Sequence, residues 1–435
     1  MKNYRYDAHC HIFTLKYALK EVKSMLHDML SGTYPWHDPS TMALLGVEGA
    51  WTDLKELLRQ LYELIHAAGS SEEENLNFLQ DEAKKAFPSE NLRIIPLMMD
   101  IFYMLAYPLN KDRDIQIAEG FKLSQVDENE FQDRWNEILD DFKTYIQPQK
   151  MTLSLSEEAD SENIEKTLQL IEEERPVAET LRLKSGALTF TGFEGFYQTG
   201  GYCFHMNNLI DLVIRRKDEL YPFVAIDPRR PGIIETLLNG SFFKGDGRFY
   251  GVKLYPRMGF HPQSKPMDAV YQYCSDHNLP IIFHCGMGGF PPSTTWKYFD
   301  FGNPLNFEPV VKKYPKLKID FAHLGSSDPT YAWAKTIVRL VNENDNVYSD
   351  LACYTSIDQL TPMKKFWDNN PKLKTRLMFG TDFDVMYFTG KVNMQLYYKN
   401  FKTIFTPDEL KILMCDNPVN FMASRQNLNK LADAK

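Results

Sequence analysis

The sequence has little of what marks secreted or disulfide-stabilised proteins. Its six cysteines lie far apart and form no CxxC pair, so we expect neither a disulfide framework nor a zinc knuckle, and a reducing compartment fits. The polar N-terminus, MKNYRYDAHCHIF, lacks the apolar segment that a signal peptide requires. These absences favour a cytoplasmic protein.

Long apolar runs and clusters of basic residues are also missing. The most apolar stretch, Ile94 to Leu109, contains Pro96 and Asp100 and is too short to span a bilayer comfortably. The 49 basic residues are outnumbered by 58 acidic ones, and no basic stripe is present that could bind phosphates. We expect no nucleic-acid partner and no membrane partner, and the sequence leaves a homo-oligomer open.

What the chain does have is a regular alternation of strand-like and helix-like segments. Five short apolar runs recur at a spacing of about 30 residues, as βα units of a parallel barrel require. These runs begin at Phe249, Pro280, Leu317, Asn346 and Arg376. Three earlier strands are predicted at Tyr4–Ile12, Leu92–Met99 and Tyr221–Asp227. Eight strands alternating with helices predict an α/β fold, specifically a (β/α)8 TIM barrel.

The remaining length falls into two segments that follow strands one and two. We expect residues 1–435 to form a single barrel in which residues 13–91 and 100–220 are long helical insertions that build a lid or wall over the active site. An apolar stripe at helical spacing begins behind Asp127, and the polar stretch Gln147–Asn163 is predicted to be a loop. The stripe consists of Phe131, Trp135, Ile138, Phe142 and Ile146. A capping box at Thr406–Glu409 predicts a last helix that ends before Asn417.

Several ionisable residues stand where a barrel places its chemistry. His9 and His11 are two apart on a predicted strand, so both rings should enter the barrel on one face. His284, His323 and Asp382 each end a later apolar run. Because four imidazoles and a carboxylate at one rim are hard to satisfy without a cation, this set predicts a divalent metal site.

Lys253 differs because it lies inside its predicted strand, GVKLYP, rather than at its end. An inward-pointing lysine is a buried cation that must be paired or have a lowered pKa. It could form a metal-bridging carbamate, clamp a substrate, or pair with a carboxylate such as Asp7. The sequence alone favours none of these.

Taken together, these residues resemble the amidohydrolase superfamily, in its amidohydrolase-related (amidohydrolase 2) branch. The similar motifs are DAHCHI, GVKLYPRMGFHP, FHCGMGG, FAHLGS, FGTDFD and DNPVNF, which occur in the family's order. The resemblance implies His9, His11, His284 and Asp382 as metal ligands, with one ion favoured and two an alternative. It implies zinc before manganese or iron. His323 would bind a second metal or act in catalysis, and Lys253 would match a lysine that is carboxylated in binuclear members.

The resulting hypothesis is a metal-dependent hydrolase. A metal-activated water would attack a small amide, ester or lactone that bears a carboxylate, with Asp382 moving the proton and His323 stabilising developing charge. Arg257, Tyr255 and His261, in the loop after strand four, are candidates for binding this carboxylate. Two alternatives stay open, a metal-dependent decarboxylase of an aromatic or unsaturated acid and a binuclear hydrolase with carboxylated Lys253.

Overall fold

A computed structural model gives the structure of the chain. It describes residues 4–12, 14–30, 51–62, 71–105, 127–152, 158–173, 195–289, 298–326, 328–383 and 393–422. No helix in these ranges is both long enough and apolar enough to cross a bilayer.

Within the described residues, eight short strands run parallel to their neighbours. Seven of them fall inside the segments predicted from the sequence, and Asn91–Pro96 begins one residue before the predicted Leu92–Met99. They are Tyr4–Cys10 (β1), Asn91–Pro96 (β2), Phe223–Ala225 (β3), Gly251–Leu254 (β4), Ile281–Phe283 (β5), Ile319–Phe321 (β6), Val347–Asp350 (β7) and Leu377–Met378 (β8). β1 pairs with β2, and β3 to β8 form a six-stranded sheet in chain order. The chain therefore has an α/β fold built on parallel strands. The strands are shorter than predicted, because only their central residues form ladder hydrogen bonds.

Backbone contacts link the two sets of strands at both sides. Leu97 forms a parallel bridge with Phe223, which connects the end of β2 to β3. On the other side, the amide of Ala8 donates to Phe379 O at 2.9 Å, and the amide of Asp382 donates to His9 O at 2.8 Å. These contacts bring the end of β1 beside the end of β8.

Helices separate most of the strands and also fill much of the length before β3. The longer ones are Leu15–Leu30, Glu72–Ala86, Glu128–Thr152, Glu158–Glu173, Gly200–Arg215, Lys265–Asp276, Ala332–Glu343, Ile357–Asp368 and Met394–Ile404, and residues 51–62 are also helical. The shorter ones are Ile233–Leu238, Glu308–Lys313, Pro371–Lys374, Pro407–Lys411 and Asn417–Met422. The largest apolar cluster lies between the strands and the later helices, and a second one joins helices Leu15–Leu30 and Glu128–Thr152.

Some of the predictions made from local sequence signals are confirmed, and others are wrong. Asp127 accepts hydrogen bonds from the amides of Asn129 and Glu130, and all five residues of the apolar stripe behind it are buried, as predicted. The predicted loop at 147–163 is wrong in its described parts, because helix Glu128–Thr152 continues to Thr152 and the next helix begins at Glu158. The capping box of Thr406 and Glu409 is formed, but the helix does not end before Asn417. A π-helical turn at Ile412–Asp416 carries it on into Asn417–Met422.

Candidate metal centre

Three predicted metal ligands from opposite ends of the chain meet beside the ends of β1 and β8. His9 lies on β1, His11 immediately follows it, and Asp382 lies shortly beyond β8. Oδ1 of Asp382 is 3.3 Å from Nε2 of His11 and 3.4 Å from Nε2 of His9. All three residues are buried. The structure therefore brings these three donor atoms together around one point.

The other ring nitrogen of each histidine faces a protein acceptor. Nδ1 of His9 lies 2.7 Å from Oδ2 of Asp350, and Nδ1 of His11 lies 2.8 Å from Leu97 O. A proton on each Nδ1 satisfies both acceptors, which leaves the two Nε2 atoms with lone pairs that face the Asp382 carboxylate. Among the described residues, Nε2 of His9 has no hydrogen-bond partner. With this assignment of the protons, the two Nε2 atoms and Oδ1 of Asp382 face one point, and a bound cation would stabilise that arrangement.

Asp350 is a residue that the sequence analysis missed. It ends β7, and besides facing His9 it accepts hydrogen bonds at Oδ1 from the amides of His323 and Ala352, both at 2.9 Å. Such a carboxylate fixes the orientation and tautomer of a metal-binding imidazole. A signal was available, because Asp350 closes the apolar run NVYS in the same way that His284 closes PIIF.

His284 and His323 lie beside each other, and His323 lies next to His9. Nε2 of His323 lies 3.3 Å from Nδ1 of His284, and Nε2 of His284 lies 3.2 Å from Gly288 O. The His323 ring is also 4.7 Å from the ring of His9. His323 thus lies between His9 and His284. Both nitrogens of His284 face other protein atoms, and so do both nitrogens of His323, since its Nδ1 lies 3.4 Å from Ala352 O. The predicted fourth ligand is not within the cluster of His9, His11 and Asp382.

Burial and neighbouring groups shift the pKa values of three residues at the centre. Burial lowers the pKa of His9 to about 4, against the opposing charge of Asp350. The pKa of His284 also lies well below its ordinary value, chiefly through burial. Burial alone would raise the pKa of Asp382, but its contact with His11 and the nearby rings of His323 and His9 keep that pKa well below its usual range. Neutral imidazoles and an ionised carboxylate are the forms that bind metal ions.

Lys253 lies inside the sheet as an unpaired amine. It is on β4, it is buried, and its Nζ has no hydrogen-bond partner among the described residues. Asp7 is not its partner, because Asp7 instead accepts from the Thr381 hydroxyl at 2.6 Å and the Thr381 amide at 3.0 Å. The other form of that alternative, a pair with a different carboxylate, stays a prediction. Burial lowers the pKa of Lys253 to about 8, although the carboxylates of Asp382, Asp350 and Asp320 oppose this.

The candidate substrate-binding residues after β4 contact the neighbouring loop. Nη1 of Arg257 lies 2.6 Å from Gly288 O and also donates to the carbonyls of Gly286 and Met287 at 3.3 and 3.2 Å. The ring of Tyr255 lies 4.1 Å from that of His284. His261 accepts at Nδ1 from the amide of Gln263 at 3.1 Å. Arg257 thus ties the loop after β4 to the loop after β5.

Gly289 lets that second loop approach His284 closely. Its φ is +101°, and a Cβ at this position would lie 2.4 Å from Nε2 of His284 and 2.5 Å from the hydroxyl of Tyr255. Both the backbone conformation and the space exclude a larger residue.

Solved structures of other proteins resemble about half of the chain at low identity. An uncharacterised TIM-barrel protein from Bordetella bronchiseptica covers 50% of this chain and 71% of its own, with 18% identity and a TM-score of 0.40. A probable 2-pyrone-4,6-dicarboxylic acid hydrolase from Acinetobacter baumannii covers 50% of this chain and 78% of its own, with 13% identity and a TM-score of 0.39. A 2,6-dihydroxybenzoate decarboxylase from Rhizobium covers 51% of this chain and 76% of its own, with 14% identity and a TM-score of 0.37. These TM-scores are too low to support an assignment of fold or function.

Sequence comparison is more decisive at the level of the family. No curated protein matches the chain. The family model described as amidohydrolase, however, matches residues 176–421, more than half of the 435 residues. The matched segment contains Lys253, His284, His323 and Asp382. Its extent shows that the chain belongs to this amidohydrolase family (amidohydrolase 2), a family of enzymes that act on small molecules.

Proposed function

We propose that this chain is a metal-dependent hydrolase that cleaves a small amide, ester or lactone bearing a carboxylate. The observation that supports the proposal is the convergence of Nε2 of His9, Nε2 of His11 and Oδ1 of Asp382, with separations of 3.3 and 3.4 Å to the carboxylate oxygen. His9 and His11 lie upstream of the segment that matches the family model, yet they meet a residue inside it. We propose these three side chains as the principal ligands of a divalent ion, zinc by preference.

The proposal includes the architecture around the site. Eight parallel strands would close into a (β/α)8 barrel, which the backbone contacts between β1 and the residues after β8 support. The helices within 13–91 and 100–220 would then be insertions on the face where strands end. A cytoplasmic location is in keeping with six cysteines that are all free thiols.

Each residue of the centre would have a separate role. When bound, the cation would acidify a coordinated water and polarise the substrate carbonyl. Asp382 would accept a proton from the attacking water and deliver it to the leaving group. His323 would hydrogen-bond the carbonyl oxygen as negative charge develops there. For His284 to be a fourth ligand, one of its ring nitrogens must leave its present partner, either His323 or Gly288.

The carboxylate of the substrate needs a cationic group near the ligands. Lys253 supports this part of the proposal best, because its buried amine makes no hydrogen bond to any described residue. Arg257 would act mainly by fixing the loop at 286–288, whose three carbonyls it already binds. Tyr255 would position His284 through ring packing.

Metal content and product analysis would test the proposal. The purified protein is expected to hold at least one divalent ion per chain, and chelation should abolish turnover of a panel of N-acyl compounds, lactones and hydroxybenzoates. His323→Asn should lower turnover by about 10²–10³-fold while the ion held by His9, His11 and Asp382 is retained, since it removes one donor to a developing oxyanion. His277→Asn, an exposed histidine at a helix end, is the matched control and should leave both unchanged.

The products separate the hydrolase from its alternatives. Hydrolysis of an ester or lactone releases a proton that base uptake measures, and hydrolysis of an N-acyl compound releases a free amine. Carbon dioxide release from a hydroxybenzoate would instead identify a decarboxylase. Two ions per chain that depend on Lys253 would select the binuclear hydrolase with a carboxylated lysine. Full activity after exhaustive chelation would refute every one of these forms.

A further inference from the structure

Cys353 lies beside the metal centre on the side away from His11. It follows β7, and its thiol donates a hydrogen bond to Oδ2 of Asp382 at 2.9 Å. The other oxygen of the same carboxylate, Oδ1, faces His9 and His11. The two oxygens of Asp382 therefore serve two different sets of donor atoms.

His323 completes the second set. Its ring, the sulfur of Cys353 and a carboxylate oxygen of Asp382 offer three ligand atoms that all lie within 4.8 Å of one another. Zn–N and Zn–S bonds of about 2.0–2.3 Å place neighbouring ligand atoms roughly 3–4 Å apart, so small side-chain movements would bring all three onto one ion. A nitrogen, a sulfur and an oxygen donor form a set that suits a thiophilic divalent cation and disfavours Mg²⁺ or Ca²⁺.

The backbone holds these three residues in an uncommon conformation. His323, Cys353 and Asp382 have φ values of +61°, +68° and +51°. Such left-handed residues persist only where the surroundings fix them. Asp350 provides part of this fixation, because its Oδ1 accepts from the amides of both His323 and Ala352. The donor atoms are therefore presented on restrained backbone.

We propose that His323, Cys353 and Asp382 form a second cation site, with Cys353 as a thiolate ligand and Asp382 shared with the first site. The inference rests on the proposed function, because the shared carboxylate belongs to the proposed first site. Binding replaces the S–H bond by a sulfur–metal bond, the proton leaves to the buffer, and no group changes its oxidation state. The site takes Zn²⁺ or a similarly thiophilic ion, and it requires no carbamate on Lys253.

Titration of the metal-free protein with Co²⁺ distinguishes the two sites. The first equivalent is expected to produce visible d–d bands without a sulfur signal, and the second a near-ultraviolet thiolate-to-cobalt charge-transfer band. Cys353→Ser should abolish that band and weaken the second equivalent by about tenfold or more, since even the loss of an outer partner of a metal ligand has that effect. The first equivalent should keep its affinity.

Two further variants serve as controls. Cys415 is also half-buried, and its thiol donates to Tyr4 O, at the start of β1, at 3.1 Å. Cys415→Ser should therefore leave the spectrum unchanged. Lys253→Met should retain the charge-transfer band. A band that survives in Cys353→Ser, or a second ion lost only in Lys253→Met, overturns the inference.

The titration of the wild-type protein is by itself a test of the second site, even if Cys353→Ser fails to fold. One cobalt ion with d–d bands and no charge-transfer band at any ratio refutes the second site and leaves the proposed function standing. Absence of any bound cobalt, together with turnover that resists chelation, refutes the proposed function itself.

Discussion

Replacing Asp350 with asparagine would test whether His9 presents Nε2 to a cation. Oδ1 of Asp350 accepts from the amides of His323 and Ala352, whereas Oδ2 faces Nδ1 of His9 at 2.7 Å. The asparagine carbonyl must take the Oδ1 position, because two backbone donors require an acceptor there. Its NH2 group then faces Nδ1 of His9, makes that nitrogen an acceptor and moves the ring proton to Nε2.

A protonated Nε2 cannot coordinate a metal ion. We therefore expect Asp350→Asn to lower metal affinity by about 10–100-fold, the range for losing a carboxylate partner of a metal-binding histidine. That factor corresponds to about 1.4–2.8 kcal/mol of binding free energy. The fold should survive, because both backbone hydrogen bonds to the side chain are kept.

Competition with a chromophoric chelator would measure the dissociation constants of the wild type and the variant. Asp345→Asn is the matched control, since Asp345 is exposed and precedes β7 at the opposite end of the same strand. Its affinity should remain within about twofold of the wild type, because surface substitutions of this kind have small effects. Unchanged affinity in Asp350→Asn would show that the tautomer of His9 is not set by this carboxylate.

Three further substitutions test other parts of the structure. Burial raises the pKa of Glu21 from 4.5 to about 8, so the folded chain binds this proton more tightly than the unfolded one, and the associated stability is lost as pH rises from 4.5 to 8. Glu21→Gln should therefore be more stable than the wild type at pH 8, by up to roughly 5 kcal/mol at about 1.4 kcal/mol per pKa unit. The free energies of unfolding of the two proteins should become equal near pH 4.5. A constant difference between them from pH 4.5 to pH 8 would contradict the assignment. Gly289→Ala should lower turnover by about 10²-fold, because the added Cβ would lie 2.4 Å from Nε2 of His284 and would displace that ring. Gly288→Ala should leave turnover unchanged, because a Cβ at that position would have no neighbouring atom within 4 Å. Trp135→Ala should destabilise the fold by about 3–5 kcal/mol in denaturant unfolding, since the indole is fully buried between helices, and a loss below about 1 kcal/mol would contradict that packing.

The pattern of apolar residues predicted the repeated strands correctly. Sequence signals failed for helix ends, whose positions depend on tertiary contacts. The βα spacing located five of the strands, and earlier apolar runs indicated the other three, because each buried strand needs an apolar run whatever surrounds it. Polar composition predicted a loop at 147–163, yet helix Glu128–Thr152 continues to Thr152. Pro418 indicated a helix end, but a π-helical turn at Ile412–Asp416 precedes it and the chain remains helical.

The candidate site was predicted in its residue types but not in its pairings. Strand ends indicated His9, His11 and Asp382, because parallel strands deliver their last residues to one edge. The partners of these residues depend on side-chain geometry that no spacing encodes. Asp350 faces His9, and Cys353 faces Asp382. The position of Asp350 at the end of a predicted strand was an available signal, whereas Cys353 would have passed as an ordinary residue following a strand.

The functional unit is larger than the segment that matches the family model. That segment begins at residue 176, downstream of β1 and β2, although Asp382 within it faces His9 and His11 outside it. The backbone beside Asp382 depends on β1 as well, since the amides of Thr381 and Asp382 both donate to His9 O. Residues 176–421 alone can therefore neither assemble the proposed metal-ligating group nor satisfy the backbone that carries its carboxylate. The helices from Leu15–Leu30 to Glu158–Glu173 lie in the unmatched part, whereas Gly200–Arg215 lies within the matched segment. Under the proposed function, substrate choice can diverge in these unmatched helices while the proposed ligands at the strand ends stay fixed.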